Sequence, residues 1–279
     1  MAAYSRYARR AVKVASAAAD RLRPHVEGVV ILLYHRVGGG SALEIDLDAA
    51  RFDDQIAQVA ARGAVPLGGA LEQLVSTASG ARDPRVVVTF DDGTADFVDV
   101  ALPILVRHQV PVTLYLATDF VEGGNTTPAG ARPISWSGLR DACATGMVNV
   151  GSHTHSHRLL DRVSRADAAD ELDRSIGLIG EHLGQTVHDF AYPKAVAGTA
   201  EVARLVRDRF RSAALAGTRV NAYPRGDGEH AADLYRLARS PIQVSDGMQY
   251  FERKLAGGMA LEDALRRAMN RVRYAKAGT

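Results

Sequence analysis

The sequence predicts an α/β protein built on a mainly parallel sheet, open or closed into a barrel, and three observations carry that expectation. Short apolar runs rich in β-branched residues recur along the chain, helical patterns separate most of them, and polar residues gather where several runs end. At 279 residues the chain suffices for one large domain or two small ones. Apolar residues make up 47% and charged ones 24%, which sets aside the disordered and fibrous classes. A net charge of +2 makes no global case for a nucleic-acid partner.

Residues 1–27 read as a basic helical extension. Arg6, Arg9, Arg10 and Lys13 follow i, i+3, i+4, i+7 spacing and share one face, with Tyr4, Tyr7, Ala11 and Ala18 roughly opposite. A solvated helix resting on the domain is one expectation; a peripheral membrane contact is the sharper one. Residues 14–19 are too short and alanine-rich for a signal-peptide core, and no run approaches the roughly 18 apolar residues of a spanning helix. A cytoplasmic location is therefore expected.

Residues 28–247 hold the main domain. The run 29–34 is continuous, apolar and short, as a strand buried on both faces should be. A helix is expected over 46–63, with Phe52, Ile56, Val59 and Ala60 on one side and Gly63 ending it. Further strands are expected at 85–90, 112–117, 148–152, 188–192, 212–215 and 237–244, and helices at 98–108, 137–146, 165–183 and 200–210. The one cysteine, Cys143, excludes an intrachain disulfide and a Cys-built zinc site, and reads as a small packed residue. Residues 248–279 should form a helical hairpin or one helix broken at Gly257-Gly258. There Glu262 and Asp263 precede Arg266, Arg267, Arg271, Arg273 and Lys276, the charge order a helix dipole favours.

Strand ends are where a parallel α/β architecture places its chemistry. One run passes from Val88-Thr89-Phe90 straight into Asp91-Asp92-Gly93. Two adjacent carboxylates repel, so a nearby cation would help keep both ionised, although a solvated turn also accommodates the pattern. Three of the nine histidines fall within five residues, at His153, His155 and His157. His153 and His157 are four apart and converge on one ion if the chain turns helical after Ser152, leaving His155 to point elsewhere; a polar loop with incidental histidines is the plain alternative. Two imidazoles and a carboxylate with open positions suit Zn²⁺, Co²⁺ or Fe²⁺ in catalytic use.

The run Val88-Thr89-Phe90-Asp91-Asp92-Gly93 resembles the first motif of the polysaccharide deacetylases (the NodB-homology group, carbohydrate esterase family four), and His153-Thr154-His155-Ser156-His157 resembles the second. Leu33-Tyr34-His35-Arg36-Val37 is similar to the opening strand of the branch acting on bacterial surface polysaccharides, and the likeness covers about 28–245. Asn149 stands where a glutamate is usual. The resemblance implies a distorted (β/α)₇ barrel of the NodB type with added terminal helices. It implies that Asp92, His153 and His157 hold a divalent metal, most often Zn²⁺, that Asp91 is the general base, and that the backbone N–H of Tyr192 stabilises the oxyanion. The arginine that usually pairs with the base is missing near Phe190 and Ala191, and Arg239 is the candidate replacement. The usual histidine acid is also missing, with Arg239 at its nearest match; His35 is the best candidate acid and His230 the second.

The implied function is metal-dependent removal of N-acetyl groups from an amino sugar of a polysaccharide or its precursor. Hydrolysis of a small amide or cyclic ureide, and a non-catalytic carbohydrate-binding role, are the alternatives. The implied partner is an N-acetylated carbohydrate, with no nucleic acid.

Overall fold

The computed structural model describes residues 2–22, 26–76, 85–124, 126–128, 130–224 and 232–275. Expectations for His230 and Lys276, and for the side chains of Tyr4, Arg6, Tyr7, Arg271 and Arg273, lie outside the described residues. The strands are β1 (Gly28–Tyr34), β2 (Arg36–Val37), β3 (Asp46–Leu47), β4 (Arg85–Asp92), β5 (Val112–Leu116), β6 (Val148–Ser152), β7 (Asp189–Ala191), β8 (Ser212–Ala216), β9 (Asn221–Ala222) and β10 (Leu237–Pro241). The helices are α1 (Ala2–Ala19), α2 (Ala49–Ala61), α3 (Leu67–Val75), α4 (Leu102–Arg107), α5 (Thr118–Gly123), α6 (Trp136–Ala144), α7 (Arg165–Leu183), α8 (Ala200–Arg209), α9 (Gly247–Leu255) and α10 (Ala260–Ala275).

Seven parallel strands run in the order β10-β8-β7-β6-β5-β4-β1, and β1 also pairs with β10, which closes the barrel. Every residue of β1 is buried, because its two faces meet different layers. Val30, Leu32, Val86, Val88 and Phe90 pack outward with Phe52, Ile56 and Val59 of α2. Val29, Ile31, Val87, Tyr115, Ala214 and Leu237 form the inner cluster, joined by Leu67, Leu71 and Leu74 of α3. The seam between β1 and β10 is bridged by Asn221 of the antiparallel β9. Its Nδ2 donates to the carbonyls of Val29 and Ala238 at 3.2 and 2.9 Å, and its Oδ1 accepts from Ala238 N at 2.8 Å.

Several boundaries move for local reasons. The helix expected over 46–63 starts only at Ala49, because Asp48 caps it by accepting from the N–H groups of Ala50 and Arg51. Asp46–Leu47 instead pairs with Arg36–Val37. The helix expected at 98–108 opens with a π-helical turn, Phe97–Ala101. The last barrel strand stops at Pro241, which has no N–H to extend the ladder. The α3 helix was not foreseen; its Gly68-Gly69 pair obscures the pattern. The C-terminal segment forms two helices, parted at Gly257, whose φ is 78°. Among the described residues no helix is long and apolar enough to cross a membrane.

The basic face expected of α1 is corrected at Lys13. Arg9 and Arg10 are exposed, but Lys13 is 2% exposed, while Ala11 and Ala18, placed opposite, face solvent. The Lys13 ammonium pairs with Asp246 and, at 2.7 Å, with Glu262 of α10; Lys254 of α9 pairs with Asp246 at 2.9 Å. This buried network ties α1 to both C-terminal helices. Burial alone would raise the Asp246 carboxyl, but Lys254 and Lys13 outweigh it and hold its pKa below the ordinary value. Its contribution is therefore full above about pH 4 and is lost as pH falls through the lower folded value. Lys13→Ala should destabilise the fold by about 3 kcal/mol in urea unfolding, since it strands part of a buried charge network. An unchanged unfolding midpoint would show that α1 is not anchored there.

Candidate metal centre

Asp91 and Asp92 end β4, and the two carboxylates are sent to different tasks by the backbone. With strand alternation, Val87, Thr89 and Asp91 face the barrel axis, whereas Val86, Val88 and Phe90 face the helices. Asp92 should follow the outward set, but its φ of 73° breaks the alternation and it lines the cleft instead. Gly93 makes that reversal feasible: its φ is 84°, and a Cβ there would lie 2.3 Å from Leu116 Cδ1.

Opposite, β6 and the loop after it supply the histidines. Gly151 lets β6 pass close to its neighbours, since a Cβ would lie 2.7 Å from the Tyr115 ring and 2.8 Å from the Asp189 carbonyl. His153 Nδ1 lies 2.7 Å from the Ala191 carbonyl. A carbonyl can only accept, so Nδ1 carries the proton and Nε2 presents its lone pair. That Nε2 lies 3.7 Å from Asp92 Oδ1, and His157 Nε2 lies 3.4 Å from the same oxygen. One ligand atom each from Asp92, His153 and His157 falls within 4.8 Å of the others. Burial first, opposed in part by the aspartates, pushes His153 below its ordinary pKa, and burial takes His157 down to about 3. Both imidazoles are thus neutral at neutral pH, the form that ligates, and the donor set fits a divalent ion.

The route to this convergence differs from the expected one. No helix follows Ser152; Thr154 and His157 instead adopt left-handed backbone, φ 68° and 58°. The loop is pinned by Glu171 of α7, whose carbonyl accepts from His155 N at 3.0 Å and whose carboxylate accepts from Ser156 N at 2.7 Å. His155 turns away, as expected, onto the Thr118 hydroxyl at 2.9 Å.

Arg239 shares the inward face of β10 with Leu237 and reaches Asp91. Its Nη1 donates to Asp91 Oδ1 at 2.5 Å and its Nη2 to Oδ2 at 2.8 Å, with Nη1 also 3.3 Å from Thr89 Oγ1. The guanidinium is 1% exposed and lies 4.9 Å from the Tyr115 ring centroid. Burial would raise the Asp91 carboxyl, but Arg239 outweighs it and holds the group at about 2. Arg239→Lys keeps the charge and loses the planar fork. The expected result is a fall in turnover on the order of 10-fold with metal content retained; a variant with normal turnover would remove Arg239 from the site.

His35 tops β1 on the cleft wall, and its Nδ1 is buried without a partner. The oxyanion assignment to Tyr192 is corrected: its N–H is already donated to the Ala214 carbonyl at 3.0 Å, and its ring packs on Phe190 in the core. Lys194 and Ala195, one turn further on, line the cleft in its place, and so does Arg266 of α10. Ala195 and Arg266 fell in no motif, and Lys194 stood out only as the last residue of the polar strand end 190–194. The cleft is small, about 170 Å³. A larger hollow of about 460 Å³ beside Asp119, Glu122 and Arg174 includes His155 but none of the three converging ligands.

Comparison with known proteins bears on these residues. Residues 78–211 match the family model described as Polysaccharide deacetylase, a span that holds Asp91, Asp92, His153, His157 and Lys194. No curated protein matches. Among solved structures the chain is similar to Streptococcus pyogenes deacetylase PplD in complex with acetate, at 20% identity and TM-score 0.68, over 81% of this chain and 97% of that one. It is similar to IcaB from Ammonifex degensii at 23% identity and TM-score 0.67, over 82% and 97%. The de-N-acetylase from Aggregatibacter actinomycetemcomitans matches at 15% identity and TM-score 0.65, over 82% and 99%. At these identities the likeness is one of fold.

Proposed function

We propose that this chain, whose residues 78–211 match the polysaccharide deacetylase model, removes N-acetyl groups from an amino sugar of a polysaccharide or its precursor with the aid of a divalent ion. The observation that carries this reading is the convergence of Asp92, His153 and His157 beside a second carboxylate, Asp91, that is buried yet kept charged. An ion held by those three, Zn²⁺ with Co²⁺ or Fe²⁺ as alternatives, would acidify a water and polarise the acetamide carbonyl.

The remaining steps belong to side chains. Asp91 accepts the proton of the attacking water at a carboxylate oxygen. The Arg239 fork fixes both of its oxygens, which orients the base but also weakens it, so Asp91 serves best toward a water that is already acidified. His35, across the same cleft, donates a proton to the departing amine, leaving acetate and a free amino sugar. A site used only for binding has no need to desolvate a free carboxylate and an arginine together, which speaks against a non-catalytic role.

A screen of acetate release across N-acetylated oligosaccharides and small amides, with metal content measured on the same preparation, tests this. Release from oligosaccharides by metal-loaded protein is expected. Release from small amides alone would move the substrate to another class.

A further inference from the structure

The cleft holds two cations that deacetylation itself does not use. Lys194 lines the cleft and is exposed. Lys194 and Ala195 are both left-handed, φ 53° and 56°, which side chains rarely adopt, and this backbone brings the lysine to the site. Arg266 reaches the same cleft from α10, a helix outside the barrel.

Positive charge continues behind Arg266. Asp263, 1% exposed, pairs with Arg266 and, at 3.1 Å, with Arg267. Two arginines therefore share one buried carboxylate, and Lys194 adds a third cation on the cleft wall. Like charges held together are costly until an anion arrives. The cleft also lacks the stacking surface a neutral sugar would use, since no Phe, Tyr or Trp lines it among the described residues.

We propose that the glycan carrying the acetamide is anionic, with carboxylate or phosphate groups on sugars near the acetylated one held by Lys194 and Arg266, and the strand continuing over Arg267. This rests on the deacetylase reading. A single acidic group needs one cation; a row of three suits a repeating acidic polymer.

The test uses metal-loaded, full-length protein and three N-acetylated oligosaccharides of matched length: one neutral, one bearing uronates and one bearing phosphates. At low salt the KM for at least one acidic substrate should lie about 10-fold or more below that for the neutral one, with kcat similar, and the gap should shrink as salt is raised. The preferred acidic substrate identifies the source of the charge. Lys194→Gln and Arg266→Gln should each reduce the acidic-to-neutral ratio of kcat/KM by about 3- to 10-fold. Equal KM values, a salt-independent preference, or variants with the wild-type ratio would overturn the proposal. If none of the three releases acetate, the deacetylase reading itself fails, and calorimetric titration with the same oligosaccharides decides the charge question separately. Tighter binding of an acidic oligosaccharide that weakens in both variants supports the proposal; equal or absent binding overturns it.

Discussion

His153→Ala and His157→Ala should each yield folded protein whose divalent-ion content falls from about one per chain to nearly none. Each change removes one of three ligands, and with two remaining the site loses most of its affinity. His153 carries a second reason. Its ring is fixed by the proton given to the Ala191 carbonyl at 2.7 Å, so its Nε2 is aimed before any ion arrives. His155→Ala is the control within the same cluster: that ring is held by the Thr118 hydroxyl and its loss should leave the ion in place. Full occupancy in both ligand variants, read by elemental analysis alongside circular dichroism, would sink the metal assignment. Ion loss in the His155 variant would relocate the site.

Much of the barrel was legible because its determinants are local. A run such as Val86-Val87-Val88-Thr89-Phe90 has one sensible state, a strand buried on both faces, and six such runs after the first, set between helical patterns, form a closed parallel ring. Asp91, Asp92, His153 and His157 were legible for the same reason, since polar residues at the end of an apolar strand need an explanation. Arg239 was picked out through the resemblance, as the replacement for the missing arginine that usually pairs with the base, and Asp91 accepts its fork.

What the sequence concealed depends on backbone conformation or on distant chain. The spacing of His153 and His157 suggested a helix, but the turn is made by left-handed Thr154 and His157 and secured by Glu171, eighteen positions beyond His153. Lys13 looked like one more solvated cation on a basic face, because nothing near it in sequence reveals that Asp246 and Glu262 come to meet it. Tyr192 carried the expected motif position, yet parallel pairing with β8 uses its N–H. Arg266 read as part of a dipole-ordered helix end, and only the docking of α10 turns it to the cleft.

Asp91→Asn should retain the ion and lose activity by about 10²- to 10⁴-fold in kcat, whereas Asp92→Asn should lose the ion. The two residues are adjacent and equally buried at 4% exposure, so burial does not distinguish them. Geometry does. Asp91 spends both oxygens on Arg239, a bidentate partner that holds its carboxyl at about 2; its Oδ2 lies 3.7 Å from His153 Nε2, but among the described residues it makes no pair with His157. Asp92 makes no such pair; its Oδ1 lies 3.4 Å from His157 Nε2 and 3.7 Å from His153 Nε2, the shared focus of the donor set. An asparagine at 91 keeps the shape and one acceptor for Arg239 but cannot take a proton. It also leaves a buried guanidinium without its counter-charge, so the variant's unfolding should be followed beside its turnover to separate instability from lost chemistry. Restoring the base from outside gives a finer check: formate or azide in millimolar amounts should recover part of the turnover of Asp91→Gly, where space is opened beside Arg239, and none of the turnover of Asp92→Gly, which lacks the ion. The reverse pattern, ion loss at position 91 and retained ion with lost turnover at position 92, would exchange the roles of the two carboxylates.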